Sequence, residues 1–125
     1  MTLEPTKSEL EILKVLWQNG PSTVRAVNDK LNESRPMQYT TTLKLMQIMF
    51  EKGLLTADKS SMKHIYKANV EESKTKSVLL DKFVDSIYGG SKTGLMMQLL
   101  GNEKASPEEL SEIRKLLDKL ENEQR

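Results

Sequence analysis

The 125-residue chain has room for one domain, or a small domain with an appendage, and its 37% hydrophobic and 30% charged residues suit a globular fold in water. No cysteine and a single histidine exclude a disulfide framework, a thiolate metal site and a cysteine nucleophile. The net charge of +1 is uneven: residues 1–70 carry +3 and residues 71–125 carry −2, and Arg35 to Lys67 alone holds six cations against Glu51 and Asp58, a local surplus of +4.

Thr6-Lys7-Ser8-Glu9 reads as a capping box, because the Thr hydroxyl and the Glu carboxylate can each satisfy a backbone N–H at a helix start. The helix that follows, about residues 7–18, turns Leu10, Ile12, Leu13, Leu16 and Trp17 inward and leaves Glu11, Lys14 and Gln18 outside. Asn19-Gly20-Pro21 stops it. Ser22 or Thr23 caps a second helix to about Leu31, with Val24, Val27 and Leu31 as core positions. Asn32 to Pro36 breaks the chain before a third helix, so the second and third form a helix–turn–helix.

The third helix ends at Gly53 and carries Leu45, Met46 and Met49, with Thr42 one turn back, on an inward stripe. Its opposite edge presents Tyr39, Thr40, Thr41, Lys44 and Gln47, with no acid before Glu51. Hydroxyls and an amide can bond base edges or phosphate oxygens, and a lysine can neutralise a phosphate. Such an edge also fits a plain solvated face, and the neighbouring elements weigh against that. Leu54–Ala57 and His64–Lys67 are short strand-like runs around the polar loop Asp58–Lys63, a hairpin placed where a winged helix has its wing. Lys59 and Lys63 near the tip suit a backbone phosphate. His64 reads as a packed or solvent-exposed strand residue, since no second histidine or cysteine accompanies it as a ligand.

From Glu71 the chain is helical again. Leu79, Leu80, Phe83, Val84, Ile87 and Tyr88 form a wide apolar stripe closed by Gly89-Gly90. Leu95, Met96, Leu99 and Leu100 repeat it on a shorter helix. Ser106-Pro107-Glu108-Glu109 opens a last helix lined by Leu110, Ile113, Leu116, Leu117 and Leu120. So few residues have little means of hiding that much leucine alone; pairing with a second copy hides it, and packing back on the N-terminal domain is the alternative. The division expected is a winged-helix DNA-binding domain at 1–70 and a three-helix dimerisation domain at 71–125, a mainly α fold with one small β-hairpin.

These residues resemble the penicillinase-repressor (BlaI/MecI-like) family of winged-helix repressors over almost the whole chain. The pattern runs through S-E-L-E-I-L-K-V-L-W at Ser8–Trp17, G-P-S-T-V-R-A-V at Gly20–Val27 and Y-T-T-T-L at Tyr39–Leu43. It continues in E-K-G-L-L at Glu51–Leu55, Ile65-Tyr66 and F-V-D-S-I-Y-G-G-S at Phe83–Ser91. The resemblance implies a homodimeric repressor on a palindromic double-stranded DNA operator, with a recognition helix over about Gln38–Lys52. Tyr39, Thr40, Thr41 and Lys44 are then the operator-facing positions, with Gln38 and Gln47 beside them, and Ser22 and Thr23 touch phosphates. It implies dimerisation through Leu79, Leu80, Phe83, Val84 and Ile87, through Leu95, Met96, Leu99 and Leu100, and through Ile113, Leu117 and Leu120. In antibiotic-sensing members a membrane-bound receptor-protease signals a cut at an Asn-Phe bond in the short penultimate helix. The corresponding positions here are Gln98 and Leu99, a departure from that pattern, with a regulatory protease as the implied partner. The copper-responsive branch ends in a cysteine-rich hook that this chain does not have.

No cofactor and no metal are expected. An enzyme is not expected either, because no Gly-rich phosphate loop and no nucleophile–base–acid arrangement is present. No apolar run approaches the roughly 18 residues of a membrane span, and the first residues lack the order of a signal peptide, so a cytoplasmic protein is expected. The competing class is a winged helix used only for contact with an acidic protein partner.

Overall fold

The computed structural model describes residues 4–124. Six helices and one two-stranded antiparallel sheet make up the fold: α1 (Lys7–Asn19), α2 (Val24–Asn32), α3 (Tyr39–Lys52), β1 (Leu55–Asp58), β2 (Ile65–Ala68), α4 (Glu72–Tyr88), α5 (Lys92–Leu100) and α6 (Pro107–Glu123). They divide into two compact units, Met1–Leu79 and Leu80–Arg125, with α4 running from one into the other.

In the first unit α1 and α2 start where their side chains permit. At α1 the Thr6 hydroxyl accepts the Glu9 N–H at 3.2 Å and the Glu9 carboxylate accepts the Thr6 N–H at 2.9 Å, closing the capping box. Thr23 caps α2 by accepting the Ala26 N–H at 3.1 Å. α3 ends at Gly53, whose φ of +89° lets the chain turn out of the helix without a Cβ clash. The core is shared among all of these elements: Ile12, Leu13 and Leu16 from α1, Val24, Val27 and Leu31 from α2, Met46 and Met49 from α3, and Leu54, Leu55 and Tyr66 from the hairpin. Trp17 and Leu45 lie at its edge, and the Trp17 indole N–H donates to the Val70 carbonyl at 3.0 Å.

The hairpin pairs Leu55 with Ala68, Thr56 with Lys67, Ala57 with Tyr66 and Asp58 with Ile65. Its strands sit one residue later than the apolar runs indicate, because the Leu54 N–H is drawn into the helix end, donating to the Met49 carbonyl at 2.9 Å. A single bridge adds the residue before the N-cap of α2 to the sheet: Ser22 and Tyr66 exchange N–H···O bonds of 2.9 and 2.8 Å. This ties the start of α2 to the wing, and three helices carrying such a hairpin form a winged helix–turn–helix.

In the second unit Ser91 caps α5, and Ser106 and Glu109 form a second capping box with Pro107 in the first turn of α6. The connection between the two helices takes Asn102 and Glu103 into the left-handed region, at φ of +55° and +61°. Val84 is the one buried side chain of this unit among the described residues. Leu80, Phe83, Ile87, Met97, Leu99, Leu116, Leu117 and Leu120 are each 45–71% exposed. Leu95, Leu100 and Ile113 are half-buried and Met96 is exposed; Leu79, the last residue of the first unit, is half-buried too.

Candidate nucleic-acid interface

α3 divides into two faces. Thr42, Met46 and Met49 are fully buried, whereas Thr40, Thr41, Lys44 and Gln47 are exposed. Thr40, Thr41 and Lys44 surround a shallow open hollow of about 360 Å³ together with Leu45 and Ile48. Gln38 stands at the N-cap with no side-chain cap bond, so its amide is available outward.

The helix is set in place by a buried polar joint with α2. Asn28, 5% exposed, donates from Nδ2 to the Thr42 hydroxyl at 2.8 Å and to the Met37 carbonyl at 3.1 Å. Asn32 donates to the same Met37 carbonyl at 2.9 Å and accepts the Met37 N–H at 3.0 Å. Both backbone groups of Met37, in the turn between the helices, are thus satisfied by side chains of α2, which fixes the angle at which α3 leaves the domain.

A second hollow, of about 520 Å³, opens between the start of α2, the start of α3 and the wing. It brings together Thr23, Tyr39 and Lys63, far apart in sequence, and adds Arg25, Met62 and His64. Arg25 had no signal in the helix pattern beyond an outward position; here its guanidinium lies 4.5 Å above the centre of the Tyr39 ring. Lys59 rests in the same manner 4.4 Å above the Phe50 ring, which holds the wing against the C-terminal part of α3. His64 is exposed on the rim and Met62 is fully exposed at the wing tip. Asp58 closes the wing loop, and its hydrogen bonds from Ser60 hold its carboxyl below the usual carboxylate value.

Ser22 and Thr23 differ in what they can offer. Ser22 uses its N–H on Tyr66 and its hydroxyl on the Gly20 carbonyl at 2.9 Å. Thr23 accepts with its oxygen and keeps the O–H to donate.

The charge surplus read from Arg35 to Lys67 is smaller at the surface than the count implies. Arg35 donates to both carboxylate oxygens of Glu11 at 3.2 Å, and Lys52 to both of Glu9 at 2.7 and 3.0 Å. Burial pushes the Glu9 carboxyl up, but the Lys52 ammonium and Thr6 outweigh it and hold the pKa below the ordinary carboxylate value. Two cations are therefore matched by acids that precede the basic stretch. Arg25, Lys44, Lys59, Lys63 and Lys67 have no acidic partner among the described residues. What remains is a face of unmatched cations, hydroxyls and amides around the outer edge of α3.

Similarity to known proteins extends over almost the whole chain. The chain is 25% identical over 115 residues to the penicillinase repressor of Bacillus licheniformis, covering 92% of this chain and 90% of that protein. It is 24% identical over 118 residues to the methicillin resistance regulatory protein MecI of Mammaliicoccus sciuri, covering 94% and 96% respectively. Among solved structures it is similar in fold to the monomeric form of Bacillus licheniformis BlaI, solved in solution in complex with the blaP half-operator. That match has a TM-score of 0.51 at 23% identity and covers 58% of this chain and 89% of that one. The family model of the penicillinase repressor matches residues 5–119, and the chain belongs to that family.

Proposed function

We propose that this protein is a sequence-specific DNA-binding transcriptional repressor, acting as a homodimer on a palindromic operator. The observation that carries the reading is the outer edge of α3, where Thr40, Thr41 and Lys44 stand exposed and clear of acids on a helix anchored by the Asn28–Thr42 joint. An α-helix fits the major groove, where hydroxyls, an amide and a lysine can bond base edges and a Thr methyl can meet thymine. Tyr39, Thr40, Thr41 and Lys44 read the bases in this account, with Gln38 and Gln47 at the two ends of the contact. Thr23, Lys59 and Lys63 hold the phosphates and set the register. Ser22, whose donors are both engaged, supports the turn that carries Thr23.

The relatives named as repressors, and the BlaI structure described as a half-operator complex, support this reading. Dimerisation is supported by the second unit: it exposes long apolar side chains on α4, α5 and α6 and buries little of its own. Joining two modules converts the second DNA contact into an intramolecular one, so affinity depends on the dimer staying intact. The off-switch follows from the same arithmetic. α5 contains no buried residue, and Gln98 and Leu99 are exposed on it, so a regulatory protease cutting there would separate the modules without touching a base contact.

Selection of bound duplexes from a random DNA pool by the full chain tests the proposal. Recovery of a palindrome with half-sites about one helical turn, roughly 34 Å, apart is the expected result. A pool that stays random after repeated rounds would overturn it, and binding to an acidic protein in its place would favour the protein-contact class.

A further inference from the structure

The hollow beside α3 holds a cation that the operator contacts above leave unused. Arg25 sits in the first turn of α2, with Asp29 one helical turn on and within reach of an ordinary surface ion pair. It makes no such pair among the described residues. Its guanidinium carbon lies 4.5 Å from the centre of the ring of Tyr39, the first residue of α3, and the side chain lines the same hollow as Lys63 and Thr23. A guanidinium resting over an aromatic ring still has N–H donors to offer a further partner, and the contact narrows the range of rotamers the side chain visits. Planar, preorganised donors opposite a lysine match the two oxygens of a phosphodiester.

Resting on the DNA-binding reading, we infer that Arg25 is a backbone-phosphate clamp, held in position by Tyr39 and closed from the wing side by Lys63. A phosphate contact at the junction of α2, α3 and the wing fixes the depth and angle of α3 in the groove, and it contributes equally to every sequence. Tyr39 therefore has two tasks: its hydroxyl faces the bases and its ring orients Arg25. Arg25→Lys retains the charge but loses the planar guanidinium and its paired donors.

The test measures the affinity of the full-length protein at several salt concentrations, on a duplex recovered by selection and on a scrambled duplex of the same length. Arg25→Met should lower the slope of log affinity against log salt by about 0.9 per protomer bound. Between 50 and 200 mM salt, that makes the loss of affinity about 3.5-fold smaller per protomer than in the parent. The variant should weaken both duplexes by the same factor, leaving their ratio unchanged. Tyr39→Phe keeps the ring and should keep the parent slope, whereas Tyr39→Leu should lose part of it. The double variant Arg25→Met/Tyr39→Leu should show the slope of Arg25→Met alone, because Tyr39 acts on phosphate through Arg25. A parent slope in Arg25→Met, or a loss confined to the selected duplex, would overturn the clamp while the repressor reading stands. If the parent protein itself fails to separate the two duplexes, the repressor reading fails first.

Discussion

Lys52 shows how position in space changes a residue's meaning. In the sequence it belongs to a basic stretch; in the fold it is bound to Glu9, which is 3% exposed and capped by Thr6. The capping box was legible because its two residues are three apart, but the partner of Glu9 lies 43 residues away and no local pattern points to it. Lys52→Met would leave the Glu9 carboxylate buried without its cation. The expected cost is about 1–3 kcal/mol in chemical denaturation, below the roughly 3–5 of a fully enclosed pair because the Lys52 side chain is 38% exposed. The pH dependence has a definite sign. The folded pKa of Glu9 is lowered, so the pair's contribution is complete above the ordinary value of 4.5 and is lost as pH falls from there through the lowered folded value. Glu9→Gln should flatten the stability profile in that acid window and nowhere else; an unchanged profile would show that the pair is not the titrating contact. Arg25 on Tyr39 was hidden for the same reason, since the pairing needs two helices to be placed before it exists.

Between elements, the joint of α2 and α3 decides how firmly the outer face of α3 is presented. Asn28→Leu removes the donor to Thr42 and one donor to Met37, leaving a buried hydroxyl and a carbonyl with fewer partners. We expect a loss of about 1–3 kcal/mol in thermal unfolding, and weaker discrimination between duplexes at temperatures where the variant remains folded. If discrimination stayed at the parent level, the joint would be a stability feature alone. The helices themselves were readable from caps and 3.6-residue periodicity, as at Thr6, Ser106 and Gly53. The hairpin was readable to within one residue, since alternation marks a strand but not where a helix end takes Leu54. The Ser22–Tyr66 bridge was not, because one paired residue leaves no repeating pattern.

For the molecule as a whole, the same leucines are unfavourable in one copy and useful in two. Leu117 and Leu120 lie exposed on α6, as Leu80 and Ile87 do on α4. Their helical spacing was plain in the sequence, but an apolar stripe marks a face to be covered and not what covers it. The parent is expected to sediment as two copies, and Leu117→Glu with Leu120→Glu as a single copy. Affinity for a palindromic duplex should then fall by about 10²-fold or more. Sedimentation as a single copy by the parent protein at micromolar concentration would contradict the assembly.

The claim beneath all of this is that the hydroxyl-bearing edge of α3 reads base edges, and one ratio tests it: affinity for a selected duplex over that for a scrambled one. The parent should show a ratio of about 10³ or greater. Thr40→Val/Thr41→Val, which keeps the shape and removes both hydroxyls, should reduce it by about tenfold or more, with an unaltered salt slope and unfolding midpoint. The same ratio in parent and variant would mean that the hydroxyl-bearing edge of α3 does not read the bases.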